Sequence, residues 1–372
     1  MNILIAPDKF KGSLTSQEVC NAIEEGIIEV LPDTTIIKIP VADGGEGSLD
    51  IIEKKLHFEK VEIFVNDPLF RPIKTYYGLL NDTAYIEMAL ASGLQILNEK
   101  ERNPMLTTSL GTGEMILNAI KRGATKINLF VGGSATNDAG IGIASAFGIK
   151  FKDKNGEILK PIGENLIKIN SIDINKTTLP DNIEINVLTD VNNVLFGKNG
   201  AAYIFAKQKG AGEKEIKILD EGLKNISKVI TKTTGKNVSE IPGSGAAGGV
   251  FAGISLLGNA KIKSGIDTIL NLLDINNYIQ QSDLVITGEG LLDKQTLEGK
   301  VIKGILSRCK KFSKKSAIIC GDTTLTLEEL KTLNTNIILT LKTKEISKEE
   351  SMKNAYSLLK ERAKEIMLQT LI

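Results

Sequence analysis

Two textures of apolar and polar positions alternate along the chain. Near-continuous apolar runs at residues 2–6, 35–41, 126–131, 183–188, 283–287, 316–320 and 336–341 have the length and composition of strands buried on both faces, and so predict a parallel sheet. Between them, apolar residues recur at helical spacing. Val19, Ile23, Gly26, Ile27 and Val30 follow a capping box of Thr15 and Glu18, and Ile216, Leu219, Leu223, Ile226 and Ile230 share one face of a longer helix. A further helix runs through Ile51, Ile52 and Leu56, and a last one from about Lys348 to Leu368. From Lys60 to Met88 the texture changes to three short runs, 61–65, 73–78 and 84–88, separated by Asp-Pro and Asn-Asp turn pairs, the spacing of antiparallel strands. A hairpin is expected through Asn155-Gly156.

The change of texture near residue 59, and the return of buried strands near 283, predict an α/β protein of two domains. One is discontinuous, residues 1–59 and 283–372, built around a doubly wound parallel sheet. The other, residues 60–282, is inserted into it and carries a mixed sheet. A chain of 372 residues exceeds what one hydrophobic core usually serves, which agrees with two domains.

Composition narrows the chemistry. The formal net charge is +1 with no charged blocks, which argues against a nucleic-acid face. No apolar stretch reaches the roughly 18 to 20 residues of a membrane span, and the N-terminal run is too short for a signal peptide, so a cytoplasmic protein is expected. Cys20, Cys309 and Cys320 lie far apart within apolar patterns and read as reduced core residues. The only histidine, His57, ends a lysine-rich helix, so the chemistry is expected to run without imidazole.

Ligand-facing chemistry is sought where strands end. Asp8, Asp190, Glu289 and Asp322 each follow a predicted strand, where open sheets bind ligands and where helix caps also sit. Gly132-Gly133-Ser134-Ala135-Thr136-Asn137-Asp138 joins a strand to a helix with glycines and hydroxyls, a composition suited to phosphate. Gly243-Ser244-Gly245-Ala246-Ala247-Gly248 has the spacing of the dinucleotide fingerprint but lacks the preceding buried strand, so a second phosphate contact and close helix packing both remain open. Asp43-Gly44-Gly45-Glu46-Gly47 places two carboxylates on a flexible helix entry, suited to a hydroxylated ligand. Lys9-Phe10-Lys11-Gly12-Ser13 offers ammonium and hydroxyl groups beyond the first strand. The Walker and protein-kinase patterns are absent.

Taken in order, these segments resemble the bacterial glycerate kinase family, glycerate 2-kinase-like, along nearly the whole chain. The resemblance is carried by Ala6–Ser13, Ala42–Gly47, Asp67-Pro68-Leu69 with Arg71-Pro72, Ala91-Ser92-Gly93-Leu94, Arg102-Asn103-Pro104, Gly111-Thr112-Gly113-Glu114, Gly132–Asp138, Asp190-Val191 with Asn193, Gln208-Lys209-Gly210-Ala211, Pro242–Gly249 and Thr287-Gly288-Glu289-Gly290. It implies ATP- and Mg²⁺-dependent phosphorylation of D-glycerate in a cleft between two α/β domains, the discontinuous one flavodoxin-like, with 2-phosphoglycerate favoured over 3-phosphoglycerate as product. On that reading Asp190 and Lys11 are catalytic, and Asp8, Ser13, Asp43, Glu46 and Arg71 bind the acid. Gly132, Gly133, Ser134, Thr136, Asn137, Asp138, Gly245 and Gly248 hold nucleotide phosphates, and Glu289 and Asp293 hold Mg²⁺. The expected partners are ATP and the small acid, with no nucleic acid and no membrane, in a monomer or homodimer. Three residues depart from the pattern: Leu291 stands where many relatives have arginine, Lys9 where serine is frequent, and Ala139 replaces a glycine. Leu291 keeps open a kinase for another hydroxy-acid. A non-catalytic sensor on the same fold is the alternative of a different class.

Overall fold

The computed structural model describes residues 1–42, 44–45, 47–174 and 182–371, apart from the side chains of Glu298 and Leu371. Asp43 and Glu46, both expected at the substrate, lie outside the described residues. In chain order the strands are β1 (Asn2–Ile5), β2 (Thr35–Lys38), β3 (Glu59–Asn66), β4 (Pro72–Leu80), β5 (Thr83–Glu87), β6 (Lys126–Phe130), β7 (Lys150–Lys152), β8 (Ser171–Asp173), β9 (Glu184–Leu188), β10 (Asn259–Lys263), β11 (Leu284–Leu292), β12 (Lys315–Thr323) and β13 (Ile337–Thr340). The chain divides into two compact units, Met1–Asp43 with Ile266–Ile372, and Gly44–Gly265.

The first unit holds a five-stranded sheet in the order β13-β12-β11-β1-β2, parallel throughout. Counted within the unit this is the flavodoxin-like order, and β1 and β11, paired from Ile3↔Leu284 to Ile5↔Ile286, flank the point where the winding reverses. Its core joins Ile3, Ile5 and Ile286 to Val19, Ile23 and Ile27 of the helix Ser16–Val30, and to Leu359, Ala363 and Ile366 of the helix Ala355–Leu371. Gly26 lets those two helices touch, because a Cβ there would stand 2.2 Å from the Lys360 carbonyl oxygen. Thr15 caps Ser16–Val30 in the expected capping box with Glu18. The continuous C-terminal helix expected from Lys348 is interrupted at Asn354, which ends Lys348–Lys353 before Ala355–Leu371 begins.

The second unit holds a six-stranded sheet in the order β10-β9-β6-β5-β4-β3 and a small antiparallel pair, β7 with β8. The contacts β3–β4 and β4–β5 are antiparallel and the rest are parallel, the mixed sheet that the change of texture predicts. The edge strand β10 carries no apolar run; its residues alternate between exposed and half-buried. Helices Leu110–Lys121, Ile141–Ala146 and Glu213–Thr234 contribute Met115, Ile143, Leu223 and Ile226 to one large core with β5, β6 and β9.

The boundaries expected at 59 and 282 move to 43 and 265. Helix Ser48–Leu56 buries Leu49 and Ile52 and packs on β4 and β5, which ties it to the inserted unit. Helix Ile275–Gln281 packs on β1 and on the helix Val301–Lys311, which ties it to the first.

Candidate functional site

In the first unit, a cavity of about 410 Å³ opens beyond the carboxyl ends of β1, β11 and β12. Asp8, Lys9, Lys11 and Ser13 come from the loop after β1, Glu289 and Leu291 from β11, Asp293 and Lys300 from the segment beyond it, and Asp322 from β12. Leu341, Lys348, Met352 and Ala355 close one side. Strands β11 and β12 run longer than their apolar runs, so Glu289 and Asp322 stand within strands rather than after them. Gly321 allows this close pairing, since a Cβ there would meet the Gly290 carbonyl oxygen at 2.4 Å.

The acids of this cavity are engaged by the chain itself. Glu289, 6% exposed, accepts the Thr296 hydroxyl. Asp293 caps the helix Lys294–Glu298, its Oδ1 accepting from the Gln295 and Thr296 amides at 2.9 and 3.2 Å. Asp322 pairs with Lys342 at 2.8 Å, and Asp8 accepts the Lys9 amide at 2.6 Å. The lysines differ: among the described residues, Lys11, Lys300 and Lys348 have no carboxylate partner. Ser13 donates its hydroxyl to the Met352 carbonyl, which fixes the loop after β1 to the C-terminal helices.

Among the described residues no cluster of three or more acids, histidines or cysteines is disposed to hold a metal ion. Mg²⁺ commonly takes one or two carboxylates and completes its shell with water and phosphate oxygens. The hard oxygens of Glu289 and Asp8 on the cavity wall fit that mode; Asp293, committed to capping, fits it less well.

The second unit gathers other expected residues at the carboxyl ends of its own strands. Asp190 follows β9 and accepts the Ser264 hydroxyl at 2.7 Å, Ser264 coming just after β10. Gly265 lies against Asp190, where a Cβ would be 3.0 Å from Oδ2. Glu87, the buried last residue of β5, accepts the Gly47 and Leu49 amides at 3.0 and 3.2 Å and so anchors the entry to helix Ser48–Leu56. Gly132 follows β6 so closely against Gly45 that a Cβ would stand 2.5 Å from the Gly45 Cα.

The glycine-rich loops divide into an exposed and a buried part. Gly133 is exposed and Gly132 half-buried, while Ser134, Thr136, Asn137 and Asp138 turn into the protein. Asp138 Oδ2 accepts the Ser109 amide and hydroxyl at 2.7 and 2.8 Å, and Oδ1 accepts the Gly140 amide at 3.1 Å. Burial pushes this carboxyl up from its ordinary range, against the effect of those hydrogen bonds. Lys209, 3% exposed, donates from below to Ser134 Oγ at 2.9 Å and to the Thr136 carbonyl at 2.7 Å, and burial lowers its ammonium to about 7. Among the described residues, Thr136 Oγ1 and both amide atoms of Asn137 find no hydrogen-bond partner.

Packing accounts for the second glycine series. Gly248 sits at φ +72 with its would-be Cβ 2.2 Å from the Thr136 carbonyl oxygen, and Gly245 lies equally close to the Val194 carbonyl. Ala247, Gly248 and Gly249 all adopt left-handed backbone, so the helix expected from Ala246 becomes regular only beyond them. Neither Gly245 nor Gly248 faces open space, so their geometry favours helix packing over a phosphate contact.

Arg71 is likewise engaged. Its Nε donates to the buried Asp67 at 2.5 Å and one terminal nitrogen to Glu101 at 2.7 Å. Sequence reasoning gave no role to Glu87, Lys209, Lys300 or Lys348. Lys209 alone carried a signal, standing among small residues in Gln208-Lys209-Gly210-Ala211.

Comparison with known proteins agrees with this architecture. The family model described as the glycerate kinase family matches residues 3–371. A glycerate kinase of Bacillus cereus is 38% identical over 369 residues, covering 98% of this chain and 97% of that protein. The Escherichia coli protein named glycerate 2-kinase is 42% identical over 328 residues, 87% and 86% of the two chains. A solved structure from Salmonella typhimurium LT2, of a protein assigned as glycerate kinase 2, superposes with a TM-score of 0.83 at 35% identity, covering 100% of this chain and 98% of that one. With the family matched from end to end on a fold that carries its motifs at strand termini, the chain belongs to the glycerate kinase family.

Proposed function

We propose that this enzyme transfers the terminal phosphoryl group of ATP to D-glycerate and forms 2-phosphoglycerate rather than 3-phosphoglycerate. The observation that carries the reading is the match to glycerate kinases over nearly all of the chain, with a relative named glycerate 2-kinase among them. Phosphoryl transfer asks for aligned oxygens and neutralised charge rather than covalent help from the protein, and this chain offers carboxylates and ammonium groups at strand ends. His57 is exposed at the left-handed C-terminus of helix Ser48–Leu56, which supports a carboxylate rather than imidazole as base.

Asp190 is our choice for that base. The Ser264 hydroxyl fixes one of its oxygens, and in this reading the carboxylate accepts or orients the proton of the acceptor hydroxyl. Lys11 neutralises phosphate charge from its loop. Glu289, with Asp8, would hold Mg²⁺, which when bound neutralises phosphate oxygens during transfer.

The test is ADP release by purified protein with ATP, Mg²⁺ and a panel of hydroxy-acids, with phosphorus NMR of the product. D-glycerate should be the best acceptor, chelation should stop turnover, and the phosphate should appear on the 2-hydroxyl. Preference for a longer acid would replace the acceptor, a 3-phospho product would reverse the regiochemistry, and binding without turnover would favour a sensor.

A further inference from the structure

The cavity of the first unit is too large and too apolar on one side for the acid alone. Its volume of about 410 Å³ lies within the roughly 300–1,000 Å³ of pockets that take cofactor-sized molecules. Glycerate is small and carries an oxygen on every carbon. It gains nothing from Leu291, Leu341 and Met352, yet Leu291 is 41% and Met352 38% exposed on the cavity wall, a surface suited to an apolar group.

Charge points the same way. Of the cavity's carboxylates, Glu289 accepts from Thr296, Asp293 caps Lys294–Glu298, Asp322 pairs with Lys342 and Asp8 accepts the Lys9 amide. Lys11, Lys300 and Lys348 line the same space and, among the described residues, have no carboxylate partner. Three ammonium groups without a carboxylate contact, beside an apolar wall, suit a ligand that is anionic at one end and apolar at the other. The cavity also sits beyond the carboxyl ends of β1 and β11, the pair that flanks the point where the winding reverses, where open parallel sheets receive nucleotides.

We infer that this cavity is the seat of a purine nucleoside di- or triphosphate, with Lys11, Lys300 and Lys348 on the phosphates and Leu291 and Met352 against the base. The inference rests on the phosphotransfer reading above and relocates the nucleotide away from the loops at 132–138 and 243–249. Leu291 then has a use: it replaces a guanidinium by a surface on which the base lies.

Calorimetry on the full chain, without acceptor, tests this with ADP and inorganic triphosphate as probes. Lys11, Lys348, Leu291 and Met352 are exposed, so replacing them leaves folding intact, which thermal melting checks. Lys11→Ala with Lys348→Ala should weaken both probes roughly tenfold. Leu291→Ala with Met352→Ala should weaken ADP by roughly fivefold and leave triphosphate unchanged. ADP binding that ignores both double variants, or wild-type protein that binds no ADP, overturns the site even if glycerate is phosphorylated. If glycerate is not phosphorylated but ADP binding shows these dependences, the site stands and the acceptor assignment falls.

Discussion

The cavity of the first unit and the Gly132–Asp138 region of the second both lie beyond strand ends, and both have the composition of an anion site, but they use their polar groups in opposite directions. Around the cavity the acids are held by the chain while three lysines remain without a carboxylate partner among the described residues. In the loop, Asp138 ties down Ser109 and the entry to Ile141–Ala146, Lys209 ties down Ser134 and Thr136, and only Gly132 and Gly133 reach the surface. Glycine and hydroxyl content therefore marks close backbone approach without saying whether the neighbour is a ligand or the protein. Charge without a partner marks a ligand more directly.

The contrast predicts that substitutions in the buried loops act on stability and substitutions at open strand ends act on ligands or rate. Gly248→Ala should show the largest effect. Its Cβ would overlap the Thr136 carbonyl oxygen at 2.2 Å in a left-handed backbone, so a loss of about 4 kcal/mol or failure to fold is expected in chemical denaturation. A stable Gly248→Ala protein with weakened ADP binding would return the 243–249 segment to the nucleotide.

Asp190→Asn should lower kcat at least about a hundredfold, about 3 kcal/mol of barrier, with glycerate affinity by calorimetry nearly unchanged. Collapse of affinity with kcat intact would make Asp190 a clamp on the acid, and no change in either would leave it a partner of Ser264 only.

Lys209 gives a smaller, pH-dependent signature. Its folded value near 7 lies below the unfolded value of 10.5, so between those limits the unfolded chain binds more protons than the folded one. Stability should therefore rise as pH increases from about 7 towards 10, and Lys209→Met should remove that part of the slope in melting curves recorded across the range. An unchanged slope would mean that the ammonium is not desolvated as the fold implies.

Gly133→Ala should do least to stability. The position is exposed and the nearest atom to a new Cβ is the Ala89 Cβ at 3.3 Å, a close approach that with the left-handed φ of +75 costs about 1–2 kcal/mol. If the variant instead loses acceptor or nucleotide affinity at near-normal stability, the exposed tip of the loop is the part that touches a ligand.

How far the sequence could be read follows from what each signal depends on. Strands buried on both faces announce themselves as apolar runs, so β1, β6, β9 and β11 were legible, as was the antiparallel set β3 to β5 from its turn pairs. The edge strand β10 was not, because Asn-Ala-Lys-Ile-Lys has only two apolar residues on an exposed rim. Acids at strand ends were visible as residues, but their engagement was not: Asp293 as a cap could be guessed from spacing, whereas the pairing of Asp67 with both Arg71 and its amide needed the folded loop. Lys209 stood out only by its small neighbours; its burial was hidden for the same reason, since burial of a lysine is decided by distant segments. The lysines of the cavity come from positions 11, 300 and 348, which only the discontinuous sheet brings together.

That discontinuity also orders the birth of the protein on the ribosome. Strand β1 is made before the inserted unit, yet its partner on one side, β11, is made only after all of Gly44–Gly265. Until then β1, β2 and the helix Ser16–Val30 between them lack β11 and the C-terminal helix that complete their core, and two strands with one helix are too small to persist alone. The inserted unit, whose strands and helices are contiguous in sequence, can complete its own core during synthesis, while the flavodoxin-like unit must wait for its C-terminal half. Because closing so long a loop grows costlier only slowly with length, the delay falls on folding rate far more than on final stability.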